Sequence, residues 1–83
     1  MTTTRHPLIE EIAERIPLVI VPNGVHRDFY GTYVPALDES ATLIRVILKY
    51  RVMHGFRAPT TGERTAALTV IRERFDARYP EAV

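Results

Sequence analysis

The sequence predicts a small α+β domain in the order helix, β-hairpin, long central helix, helix. Three observations carry that expectation. Apolar residues recur at helical spacing near the start, through residues 41–54, and again over the last third of the chain. Between the first two of these segments lies a β-branched run followed by Pro22-Asn23-Gly24, and Asn-Gly between extended segments is a strong hairpin signal. The 83 residues show no repeat, linker or low-complexity tract, so residues 1–83 read as one domain.

Each element has its own local reason. Residues 1–5 are polar and threonine-rich, a start expected to fray. Pro7 suits a first helical turn. Leu8, Ile9, Ile12, Ala13 and Ile16 then share one face, with Glu10, Glu11, Glu14 and Arg15 opposite, until Pro17 ends the helix. Residues 18–21, LVIV, favour a strand. A turn at Asn23-Gly24 would return the chain as a second strand somewhere within 25–34, bent at Gly31 and closed by Pro35. An isolated ribbon is marginal in water, so it must pack on a helix or pair with another chain. Asp38 or Ser40 can cap the central helix, and Gly55 stands at its C′ position. Thr60 and Glu63 spell a capping box for a last helix over about 61–78, with Ala67, Leu68, Ile71, Phe75 and Tyr79 as its buried stripe. Pro80 stops it. Ala66, Val70 and Ala77 form a second strip of small residues that would admit a neighbouring helix.

The central helix is the most constraining segment. Leu43, Ile44, Ile47, Leu48 and Tyr50 form one broad apolar face, extended by Val46 and Met53, leaving Arg45 and Lys49 as the main solvent stripe. A chain of this size buries only roughly 60–65% of its unfolded surface, so cover for such a helix is scarce. The helix is therefore either a central rod, covered on three sides by the other elements, or half of a subunit interface. Arg51 falls inside the apolar face. An unpaired buried guanidinium is costly, so it should reach Asp28, Glu39 or Asp76, or line a groove facing a partner.

Composition excludes more than it assigns. The formal net charge is +1, which argues against a strongly electrostatic nucleic-acid binder and against an acidic nucleic-acid mimic. There is no cysteine, hence no disulfide or cysteine metal cluster. The start lacks a signal-peptide apolar region, and no stretch approaches a membrane span, so a soluble, cytoplasmic protein is expected. His6, His26 and His54 fall one to a region, so no metal is expected, and no cofactor motif occurs. The tripeptide His26-Arg27-Asp28 matches a kinase catalytic loop by chance alone, since every companion motif is missing. No nucleophile–base–orienter set can be named. Residues 26–33 nevertheless concentrate polar and aromatic groups of the kind interfaces favour, which makes Arg27, Asp28, Tyr30 and Tyr33, with Arg51, the candidate partner-binding residues.

Residues 50–63, with His54-Gly55-Phe56-Arg57-Ala58-Pro59-Thr60 in their middle, resemble the link between the first two helices of LexA-type winged-helix repressor domains. In that family the link leads into a helix-turn-helix. Here the helical pattern after Glu63 runs on to Tyr79 without a turn, so the DNA-contacting role is not carried over.

These readings converge on a non-enzymatic protein-interaction module of the small regulatory or inhibitory kind, expected to form a homodimer and to suit a phage or mobile element. The alternative is a nucleic-acid-binding regulator using Arg45, Lys49, Arg57 and Arg64 around the corner between the last two helices.

Overall fold

A computed structural model describes residues 5–21 and 35–80. Helix α1, Pro7–Arg15, begins with proline at its first turn and ends where Ile16 turns extended ahead of Pro17. Strands β1, Ile20–Val21, and β2, Ala36–Leu37, pair antiparallel. Helices α2, Glu39–Met53, and α3, Thr61–Arg78, complete the domain. The α+β order read from the sequence is the observed one. No helix among the described residues is long and apolar enough to cross a membrane.

Both long helices start as their capping residues dictate. The Asp38 carboxylate accepts the Ala41 N–H at 3.0 Å. Thr60 and Glu63 close a full capping box: Thr60 Oγ1 accepts the Glu63 N–H at 3.1 Å, and Glu63 accepts the Thr60 N–H at 3.0 Å. Helix α2 ends with Gly55 at φ 67°, while Phe56 donates its N–H to the Arg51 carbonyl at 2.6 Å, the longer bond of a Schellman motif. Helix α3 runs unbroken to Arg78, so the winged-helix resemblance stops at the link that carries it.

The hairpin differs from expectation. A two-residue turn at Asn23-Gly24 requires Val21 opposite His26, whereas Val21 pairs with Ala36 and Ile20 with Leu37. The observed return strand therefore lies beyond Pro35; the span 25–34 expected to hold it lies outside the described residues. The register is set by the start of α2. Asp38 N–H donates to the Val19 carbonyl at 2.9 Å, and Val19 N–H donates to Thr42 Oγ1 at 3.0 Å. The Thr42 hydroxyl donates in turn to the Asp38 carbonyl at 2.8 Å. The strand ladder thus continues into a helix cap.

The core lies where α1, α2 and α3 meet: Ile9, Ile12 and Ala13 against Val46, Tyr50, Ala67 and Ile71. Leu18, Leu37, Leu43 and Val70 pack around it. Arg74 ties α1 to α3 by donating to the carbonyls of Ala13 and Ile16 (2.7 Å to the latter), which fills acceptors that the end of α1 leaves open. At the other end of α1, Glu10 is buried rather than on the solvent side. It accepts the His6 N–H at 2.6 Å and pairs with Arg5 at 3.0 Å.

The phase of α2 is the main correction to the sequence reading. Its buried residues are Thr42, Val46 and Tyr50; Leu43 and Ile47 are half-buried, and Ile44, Leu48 and Met53 are exposed. The reason is polar. Tyr50 is fully buried, and its hydroxyl donates to Glu63 Oε2 at 2.6 Å. Arg57 donates to that hydroxyl and reaches Glu63 at 3.6 Å, while the ring of His54 lies 4.9 Å from that of Tyr50. A buried hydroxyl without a partner costs about 1–3 kcal/mol, and a buried carboxylate more, enough to decide which apolar face of α2 turns inward.

This polar cluster predicts an acid-sensitive fold. The Glu63 carboxyl is held below its usual 4.5, chiefly by the Thr60 N–H and then by the Arg57 charge, against the opposing effect of burial. Glu10 is held down by the His6 N–H and by Arg5. A carboxyl with a lowered folded pKa stabilises fully above its unfolded value and loses that contribution as pH falls through the folded one. Urea denaturation should therefore show stability falling below pH 4.5. Glu63→Gln should be less stable at neutral pH and lose less on acidification.

Candidate interaction surface

Helix α2 carries two apolar faces, and the described residues cover one. Residues two apart lie about 200° apart on a helix, so burying Thr42, Val46 and Tyr50 turns Ile44, Leu48 and Val52 outward. These three form a ridge in which Ile44 and Leu48 are each 56% exposed and Val52 66%. Large apolar side chains are often singly exposed; three in one stripe, joined by further neighbours, form a patch.

The neighbours come from α1 and from the end of α2. A pocket of about 280 Å³ opens between the two helices, walled by Leu8, Ile12, Ile16, Pro17 and Met53. Its rim carries Lys49, His54 and the exposed Glu11–Arg15 pair, 3.3 Å apart. A shallower groove joins Ile16 and Pro17 to Leu48 and Val52, with Arg45 and Lys49 along it. Beyond the C-cap, Phe56 is 70% exposed and holds φ at 60°. A bulky residue in the left-handed region costs roughly 1–2 kcal/mol, a cost set here against the closing bond of the α2 C-terminus.

Charge on this side is of one sign along the ridge. On the wheel Arg45 and Lys49 flank it on one edge and Arg51 on the other, all three exposed. Among the described residues no carboxylate stands within 4.0 Å of Arg51. Of the partners anticipated for it, Glu39 is taken by Arg72, and Asp28 lies outside the described residues. Carboxylates gather instead around a groove of about 590 Å³ between α1 and α3, lined by Glu10, Glu14 and Glu73 with Arg5 and His6, where Glu10 is paired with Arg5. Gly62, Ala66 and Val70 line its α3 side, so two members of the small-residue strip face α1 in the same chain. A Cβ on Gly62 would meet His6 Nε2 at 3.2 Å, so the His6 ring ahead of α1 packs directly on the start of α3.

The residues singled out from sequence divide accordingly. Arg45, Lys49 and Arg51 come together around the ridge. Arg57 turns away to Tyr50 and Glu63, its guanidinium 5.4 Å from the Tyr50 ring centre, and Arg64 is exposed on α3. Arg27, Asp28, Tyr30 and Tyr33 lie outside the described residues. Sequence reasoning missed the outward ridge itself and the pocket formed with Leu8 and Pro17. The signal that finds the ridge is the need of Tyr50 and Thr42, eight residues apart on one face, for buried hydrogen-bond partners. Every buried side-chain nitrogen or oxygen among the described residues has one.

Comparison of the chain with models of protein families, with curated proteins and with solved structures finds no match. The reading of this surface therefore rests on its own geometry.

The same substitution at two positions on α2 tests that geometry. Leu48→Gln should change the unfolding free energy by no more than about 1 kcal/mol, as at other exposed positions. Val46→Gln should cost at least about 3 kcal/mol, because it overfills a closed site and buries an amide. Urea denaturation of both variants measures the contrast.

Proposed function

We propose that this protein is a non-enzymatic interaction module of the small regulatory kind, which binds another polypeptide through the outward face of α2 and the adjoining α1–α2 pocket. One observation carries this: the apolar ridge of Ile44, Leu48 and Val52 adjoins, across a groove lined by Ile16, Pro17, Arg45 and Lys49, a pocket walled by Leu8, Pro17 and Met53. The buried polar groups are engaged in holding the fold. Tyr50 and Glu63 fix α2 to α3, Thr42 holds the strands, and Glu10 closes the start of α1.

Self-association, anticipated from the central helix, uses the same face as binding to a different protein. Nucleic-acid binding through Arg45, Lys49, Arg57 and Arg64 is the weaker reading. Arg57 is countered by Glu63, and phosphates gain nothing from the apolar residues between the other cations.

Site-specific cross-linking in the native host tests the proposal. A photo-reactive residue in place of Leu48 should give a discrete adduct, while one in place of the exposed Asp76 on α3 should not. The adduct's mass separates a second copy from another protein. Absence of an adduct at 48, or the same adducts at both positions, would count against an interaction role for this face.

A further inference from the structure

We infer that the occupant of this surface is an amphipathic helix of another protein, with acidic residues on both sides of its apolar stripe and one large apolar side chain seated between α1 and α2. The inference rests on the interaction-module reading and adds the chemistry of the partner.

Charge gives the first argument. The ridge is bracketed by Arg45 and Lys49 on one edge and Arg51 on the other, and α2's one carboxylate, Glu39, is engaged by Arg72. A helix lying along the ridge presents its own flanks to both edges, so carboxylates on those flanks meet cations all along the contact.

The same arrangement weighs against a second copy. If two α2 helices packed antiparallel across a two-fold axis, Arg45 and Lys49 would share an edge with the other copy's Arg45 and Lys49. If they packed parallel, that edge would meet the other copy's Arg51. Either pairing sets cations against cations with no free carboxylate of α2 between them, and like charges brought together at an interface are costly.

Shape gives the second argument. An anionic bilayer would also attract cations flanking an apolar ridge, but a bilayer asks for a protruding face. Here a groove lined by Leu48, Lys49, Ile16 and Pro17 joins the ridge to a pocket of about 280 Å³ between Leu8, Ile12, Ile16, Pro17 and Met53, a socket for an inserted side chain. Recognition of a helix by a groove works in this way, with anchors at helical spacing.

Fluorescence anisotropy with two synthetic peptides decides the matter. One is a helix former with leucines at helical spacing flanked on both sides by glutamates; its twin carries lysines in place of the glutamates. The glutamate peptide should bind at least about tenfold more tightly, an advantage that fades as salt rises. The double variant Arg45→Glu, Lys49→Glu should reduce or invert that preference, and Leu48→Asp should abolish binding while circular dichroism still reports a folded chain.

Equal affinity for both peptides, lost in Leu48→Asp, would overturn the acidic-partner inference while leaving the face an interaction surface. Failure of both peptides would overturn it too. Light scattering that shows a dimer dispersed by Leu48→Asp would then assign a second copy, and sedimentation with phosphatidylglycerol vesicles would assign a membrane. The cross-link at position 48 reports on the interaction reading independently of all these outcomes.

Discussion

The hydrogen bond from Tyr50 to Glu63 settles the rotation of α2, and the rest of the molecule follows from that rotation. Glu63 is held by the capping box of α3, so its carboxylate is a fixed acceptor for Tyr50. Two turns earlier on the same face, Thr42 Oγ1 accepts the Val19 N–H. With both ends of one stripe committed to polar partners, Val46 between them goes into the core. The residues two positions away must then point to solvent, whatever their hydropathy. An apolar ridge on the outside is the consequence of a polar requirement on the inside.

The domain is built with few fully buried side chains, and polar ties supplement them. Arg74 closes the end of α1, Glu10 closes its start, and Thr42 carries the strand register into a helix cap. Such ties are directional and specify one arrangement, whereas apolar burial in a three-helix layer would tolerate several. That division matters for function. A domain whose helix phase rests on polar partners can leave Ile44, Leu48 and Val52 outside without slipping into the phase that would bury them.

Much of the fold was legible because it is written locally. Pro7, Pro17, the Thr60–Glu63 box and Gly55 each act within a few residues, and the limits of α1 and α3 follow from them. What was not legible depends on contacts distant in sequence. The register of β2 depends on Thr42, 23 residues from the Val19 it holds, while the Asn23-Gly24 signal pointed to a nearer partner. The phase of α2 depends on Glu63, whose place in a capping box was clear but whose second role as acceptor for Tyr50 was not. The same holds for Glu10, which sits on the polar side of a helical wheel yet is buried by a bond to its own helix start. For the site, the cations Arg45, Lys49 and Arg51 were identifiable, but only tertiary structure shows them bracketing a ridge.

The functional reading unites these features: a fixed helix, an uncovered apolar stripe, cations on both edges and a socket beside it. All of it depends on which side of α2 faces outward. The chain contains no cysteine, so single thiols can be placed along α2 without background and their reactivity toward a maleimide measured in the folded state. Ile44→Cys and Leu48→Cys should react at rates close to those of the unfolded chain, while Val46→Cys should be strongly protected. Protection at 44 and 48 with rapid reaction at 46 would contradict the functional reading, because α2 would then have the opposite phase.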